Sequence, residues 1–101
     1  MEKIPVFAER CWFAISPDGS EHDVLIRVEA PQRVGAGDWG TVVICDPMDP
    51  TRHMIPGVDS WQSLHLAMKF AGVRMEHFIE MGWQFYWERG GSAAEASDLF
   101  L

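Results

Sequence analysis

Hydrophobic and polar positions alternate with a period of two across the first thirty residues. In the run from Glu21 to Ala30, His22, Val24, Ile26, Val28 and Ala30 alternate with Glu21, Asp23, Leu25, Arg27 and Glu29. That is the pattern of a half-buried antiparallel strand. In the run over residues 6–15, Phe7, Cys11, Phe13 and Ile15 share one face, interrupted by Glu9. Between the runs, Ser16-Pro17-Asp18-Gly19-Ser20 offers a proline that presets φ and a glycine that accepts a positive one. The pattern predicts a β-hairpin of residues 6–15 and 21–30. Pro31 ends its second arm, because proline cannot donate to a ladder.

Residues 32–38 read as a loop, and Trp39 to Cys45 as a third strand with β-branched residues at its centre. Asp46-Pro47-Met48-Asp49-Pro50 is a turn by composition. Arg52 to Ile55 is a short fourth strand, and Pro56 marks it as an edge. The period then changes to that of a helix. Asp59 is an N-cap, Gln62 completes a capping-box pair, and Gly72 is the expected C′ glycine, which predicts a helix over about 60–71. Leu64, Leu66, Ala67, Met68, Phe70, Ala71 and Trp61 cover an arc of roughly 220°. Only Gln62, His65 and Lys69 form a polar strip, with Ser63 isolated among apolar neighbours. A face that wide predicts cover on two sides, by the sheet and by the segment that follows.

Residues 73–81 fit a short helix and nearly as well a strand; the helix is the preferred reading. Trp83, Phe85 and Trp87 alternate with Gln84, Tyr86 and Glu88 as a last strand. From Gly90 the small, acidic sequence predicts a flexible tail over 90–101, whose apolar end Leu99-Phe100-Leu101 is available to dock on a neighbour. The expected architecture is α+β: one domain over 1–89, an antiparallel, meander-like sheet of about five strands with one main helix packed across it.

The chain has 101 residues, enough for one domain and not two. Its 48% hydrophobic content argues for a packed core and against general disorder. The net charge of -7 opposes direct nucleic-acid binding, which needs clustered Lys and Arg. It suits a basic partner, or solubility alone. No signal-peptide run or membrane-length apolar window is evident, and Cys11 and Cys45 form no metal or disulfide spacing. The expectation is a cytoplasmic protein with two buried, reduced thiols.

Catalytic, cofactor and metal signals are weak. His22, His53, His65 and His77 lack the i, i+4 spacing of a zinc helix, and a Cys11–His22 meeting depends on register. Neither Arg10 beside Cys11 nor Asp46 beside Cys45 makes a convincing thiolate setting. Gly35-Ala36-Gly37 precedes a strand, so it is no phosphate loop. Asp46, Asp49 and Asp59 are turn and cap residues before they are acid–base groups. No catalytic residue, metal or cofactor is therefore expected, and no enzyme. A ligand pocket between sheet and helix would be lined by Trp61, Met68 and Trp83. The remaining signal is the five tryptophans. If Arg10 and Trp12 lay on the outer hairpin face, they would form the kind of patch enriched at protein interfaces. With Asp18, Glu21, Asp23 and Glu29 they make the expected protein-binding surface. Its partner would be a basic protein, a toxin or a nucleic-acid-binding enzyme, bound by an inhibitor or immunity-type protein. The alternative is a structural or housekeeping domain, homodimeric through an edge strand.

The pieces Asp38-Trp39, Gly57-Val58-Asp59-Ser60, Gln62, Leu64, Leu66-Ala67, Ala71-Gly72-Val73 and Trp83, with Pro17-Asp18-Gly19 upstream, resemble a family of small uncharacterised bacterial proteins known as a domain of unknown function. The resemblance covers roughly residues 7–88, and its specific part is the GVDS-x-Q-x-L-x-L-A helix start. It implies an α+β sheet-and-helix domain and no assigned activity.

Overall fold

The computed structural model describes residues 5–100. Residues 1–4 and Leu101, which the expected domain and its docking tail included, lie outside the described residues. Seven strands and one long helix follow in order: β1 Val6–Ile15, β2 Glu21–Glu29, β3 Gln32–Gly35, β4 Asp38–Asp46, β5 Asp49–Gly57, α1 Ser60–Glu80, β6 Gln84–Tyr86 and β7 Ala93–Ala94, then a 3-10 turn Ala96–Phe100. The class is α+β as expected, with more strands than the five predicted.

The sheet is antiparallel throughout and departs from a simple meander. β1 pairs with β2 on one edge and with the short β6 on the other, and β7 extends β6. β4 uses one edge for both β2 and β3, and the other for β5. The predicted hairpin is present, and β5 pairs only with β4, the edge place that Pro56 implied.

One face of this sheet carries the helix. Trp12, Ala14, Val24, Ile26, Val28, Val43 and Cys45 meet Ala67, Ala71, Met75 and Phe78 in a single core. The buried seam of α1 runs through Ser63, Ala67, Ala71, Gly72, Met75 and Phe78. It is narrower than the predicted arc: Trp61 is 84% exposed, and Leu66 and Met68 are exposed at its margins. Small side chains occupy the seam where α1 crosses β4 and β5, so backbone approaches backbone. At Gly57 a Cβ would overlap the Ser63 backbone nitrogen. Ser63, isolated in the sequence pattern, is fully buried. Its hydroxyl donates to the Ile55 carbonyl at 2.9 Å and meets Thr41 Oγ1 at 2.7 Å.

The helix does not end at Gly72. It continues nine residues beyond the predicted end at 71 and takes in the ambiguous segment through Glu80, with Met81 as its C-cap. Glycine costs about 1 kcal/mol in a helix interior, which is not enough to end a helix held by packing. Its place has a use: a Cβ there would stand 2.9 Å from the Phe100 ring. The C′ glycine is Gly82, at φ +106. Its N–H donates to the Ile79 carbonyl and that of Trp83 to Phe78, both at 3.0 Å, the two bonds of a Schellman motif. At the other end the cap is as predicted: Asp59 Oδ1 accepts the Gln62 N–H, and Gln62 Oε1 accepts that of Val58, both at 2.8 Å.

The segment from Gly90, expected to be a flexible tail, carries β7 and the 3-10 turn. Ala94 and Ala96 are buried and Leu99 packs against the core. Arg10 Nη1 holds the turn by donating to the Asp98 carbonyl at 3.1 Å. Composition predicted mobility here, but β6 offers a free edge for Ala93–Ala94.

Ser63→Ala is expected to cost about 1–2 kcal/mol in urea denaturation, because the buried Thr41 hydroxyl loses its partner. Ser63→Leu is expected to cost more, since the seam holds no space for the added carbons.

Candidate functional site

The side of β1 that faces the helix is set by its pairing with β2. Arg10 stands across from Ile26 and Trp12 across from Val24. Cross-strand partners share a face, so the regular apolar row of β2 carries Arg10 and Trp12 inward with it. Trp12 is 3% exposed and packs edge-on against Trp87, with ring centroids 5.7 Å apart. The Arg10 guanidinium lies 4.9 Å from the Trp87 ring centre. The expected outer patch of Arg10 and Trp12 is thus on the core side.

The same register puts Phe13 and Ile15 on the opposite face, which neither α1 nor the 3-10 turn covers. Two rows of side chains cross that face at the hairpin end. Asp23, Phe13 and Tyr86 form one, and Glu21, Ile15 and Gln84 the other. The loop after β6 folds over them. Glu88 to Gly91 is a tight turn closed by the Gly91 N–H to the Glu88 carbonyl at 2.9 Å. Gly90 sits at φ +76 in its third place, as a type II turn requires. Arg89, in the second place, reaches back to Glu21 with bonds of 3.1 and 2.5 Å. Its guanidinium carbon lies 5.0 Å from the Phe13 ring centre. Phe13 is therefore only 8% exposed, although no helix covers its face. Phe13, Ile15, Glu21, Tyr86, Arg89, Gly90 and Gly91 enclose a groove of about 310 Å³.

Three expected site residues gather at this end. Glu21 lines the groove, Asp23 is exposed beside Phe13, and Asp18 is exposed in the adjoining turn. Asp18 also holds the turn: its Oδ1 accepts from the Ser16 hydroxyl and, at 2.9 Å, from the Ser20 N–H. The Ser16 bond, then that of Ser20, lowers its pKa from 3.8 to about 2. Glu29 leaves the set. It is 6% exposed and bound through both oxygens by Arg52 across β4.

The arginines as a group are committed. Arg27, Arg52, Arg74 and Arg89 hold carboxylates, and Arg10 and Arg33 lie over tryptophan rings. Among the described residues Asp18 and Asp23 have no such cationic partner.

Other clusters are wired for structure. Asp49 Oδ2 accepts from His53 Nε2 at 2.8 Å and from Arg74 Nη2 at 3.0 Å, which ties β5 to α1. The His53 bond foremost, then hydrogen bonding from Thr51, holds Asp49 well below the usual carboxylate range. Burial pushes the nearby Cys45 thiol up to about 11, so it carries no thiolate at neutral pH. Cys11 is exposed on the open face rather than buried as expected, and His22 lies three residues along the hairpin on the opposite face, so the two do not meet. His22 Nε2 meets Ser16 Oγ at 3.2 Å, but the carboxylate of Asp18 bonds the serine, not the histidine. A hydrolytic triad needs the histidine in the middle. No metal-binding group of three ligands occurs among the described residues. Of the three residues named for a sheet–helix pocket, only Met68 lines one: a groove of about 110 Å³ between α1 and the β1–β2 hairpin, shared with Arg10, Ile26 and Leu99, while Trp61 is exposed and Trp83 stacks on Phe85 beyond the far end of α1. No described helix is long and apolar enough to cross a membrane.

Both lowered carboxylates stabilise the fold above the ordinary carboxylate pKa, and this contribution is lost as pH falls through their folded values. Denaturation midpoints are expected to drop between about pH 4 and pH 2, and Asp18→Asn to flatten that drop. An unchanged acid slope in Asp18→Asn would show that the turn bonds do not hold in solution.

No curated protein and no solved structure matches the chain. Residues 8–94 match the domain of unknown function DUF6968, and the chain belongs to that family.

Proposed function

We propose that the chain is a small acidic protein-binding module, an inhibitor or immunity-type protein that neutralises a basic protein partner. The contact surface is the hairpin end of the open sheet face. One observation carries this reading: the arginines are bound to the chain's own groups, while Asp23 stands across from Phe13 beside the aromatic groove and Asp18 lies exposed in the adjoining turn, neither with an arginine or lysine partner among the described residues. Charge that is uncompensated within the molecule is available to a partner, and it raises association rates by steering. An aromatic floor beneath it supplies the apolar contact that charges alone lack. Arg10, Trp12 and Glu29 take no part in this surface.

The alternative is a structural domain pairing through its β5 edge. That edge carries Pro50 and Pro56, two residues without a donor, and this weighs for the binding module.

Capture on the immobilised chain at low and high salt, followed by kinetics with the purified partner, tests the proposal. A basic partner held at low salt and released at high salt is expected. Asp18→Lys with Asp23→Lys is expected to slow its association about tenfold or more at low salt. An unchanged rate would remove the hairpin end as the contact surface.

A further inference from the structure

The groove already holds a guanidinium, supplied by the chain itself. Arg89 meets Glu21 through two bonds, at 3.1 and 2.5 Å, and lies 5.0 Å over the Phe13 ring. A carboxylate fork at the edge and an aromatic face beneath are the two elements that recognise arginine rather than a point charge. The Tyr86 ring stands 6.2 Å from that of Phe13 on one flank, and Asp23 stands across from Phe13 on the other. Gly90 and Gly91 bound the groove without side chains to fill it. The Arg89 side chain is 69% exposed, so it sits at the rim and is not enclosed. Exposed pairs of this kind are weak and exchange readily.

We propose that the groove is an arginine-recognition site and that Arg89 is an internal stand-in displaced by an arginine of the partner. This rests on the basic-partner reading and deepens it by naming the side chain recognised. The incoming guanidinium takes the Glu21 fork and the Phe13 face, while Arg89 swings outward from its turn. Glu21 and Asp23 together supply a carboxylate for each of the two cations. Lysine, without a planar fork, displaces Arg89 less well, so the stand-in sharpens specificity.

The test is an NMR titration of the full chain with two capped tripeptides, one carrying arginine and one lysine at its centre, read on the Phe13 and Tyr86 ring signals. Arg89→Ala is expected to bind the arginine peptide about two- to five-fold more tightly than the unsubstituted protein. The gain is expected to be smaller for the lysine peptide and to vanish when Glu21→Gln is added. Arg89→Gln, which keeps a side chain in the turn, is expected to give the same gain where alanine loosens the loop. Equal affinity of the unsubstituted and Arg89 variants, or shifts confined to other residues, would overturn the proposal. Salt-dependent binding of polylysine separates the two readings. Retained without an arginine gain, it removes only the arginine site; absent along with the gain, it removes the basic-partner reading as well.

Discussion

Ser63, Ala67 and Ala71 press α1 against β4 and β5 with almost no exposed area, and the remaining architecture depends on this seam. Close approach requires small groups on both sides: Gly57 on the sheet, and on the helix a serine whose hydroxyl is satisfied by Thr41 and Ile55. Once the helix lies there, Met75 and Phe78 reach the hairpin core, and the Asp49–Arg74 pair fixes the far end of β5 to the second turn from the helix C-terminus. The seam also decides what is left uncovered. A single helix covers one face of the sheet, so the other must serve as surface.

That surface is not polar throughout, and the reason is strand register. β2 alternates regularly apart from Leu25, while β1 has large apolar groups on both faces. When the two pair, the regular strand dictates the orientation of the irregular one. Trp12 and Arg10 go inward with Val24 and Ile26, and Phe13 goes outward with Asp23. An outward phenylalanine between a carboxylate and a tyrosine is costly to leave wet, and Arg89 covers it. The groove is thus a consequence of how the hairpin is registered, and its chemistry, aromatic below and acidic at the rim, follows from which residues that register leaves outside.

Electrostatics sharpens the same picture. An acidic chain with few cations spends its arginines internally, on Glu9, Glu21, Glu29 and Asp49 and on the rings of Trp12, Trp39 and Trp87. The groups that resemble catalytic parts, Asp49 with His53 and Ser16 with His22, are consumed in turn and packing bonds, and the buried Cys45 thiol is held in its neutral form. The proposed recognition role rests on this arrangement, because an acid beside an aromatic floor needs only a complementary surface to act.

The sequence by itself determined the hairpin and its turn, the start of the helix, the edge position of β5 and the α+β class. Each rests on local chemistry: alternation, proline and glycine placement, or a capping side chain within reach of its own backbone. It placed Glu21, Asp23 and Asp18 near one another because they are neighbours in one hairpin. Only the tertiary structure decided the rest. Gly72 reads as a stop, yet packing carries the helix to Gly82. Glu29 reads as a surface acid in its strand, yet Arg52 buries it from β5. Arg89 and Phe13 are 76 positions apart in the chain, and no local pattern foretells that one will cover the other. The Arg89-Gly90-Gly91 run marks a turn by its glycines but not what that turn covers. Local rules act through a few bonds, whereas the face a residue occupies is fixed by partners far along the chain, and the candidate site is built from such partners.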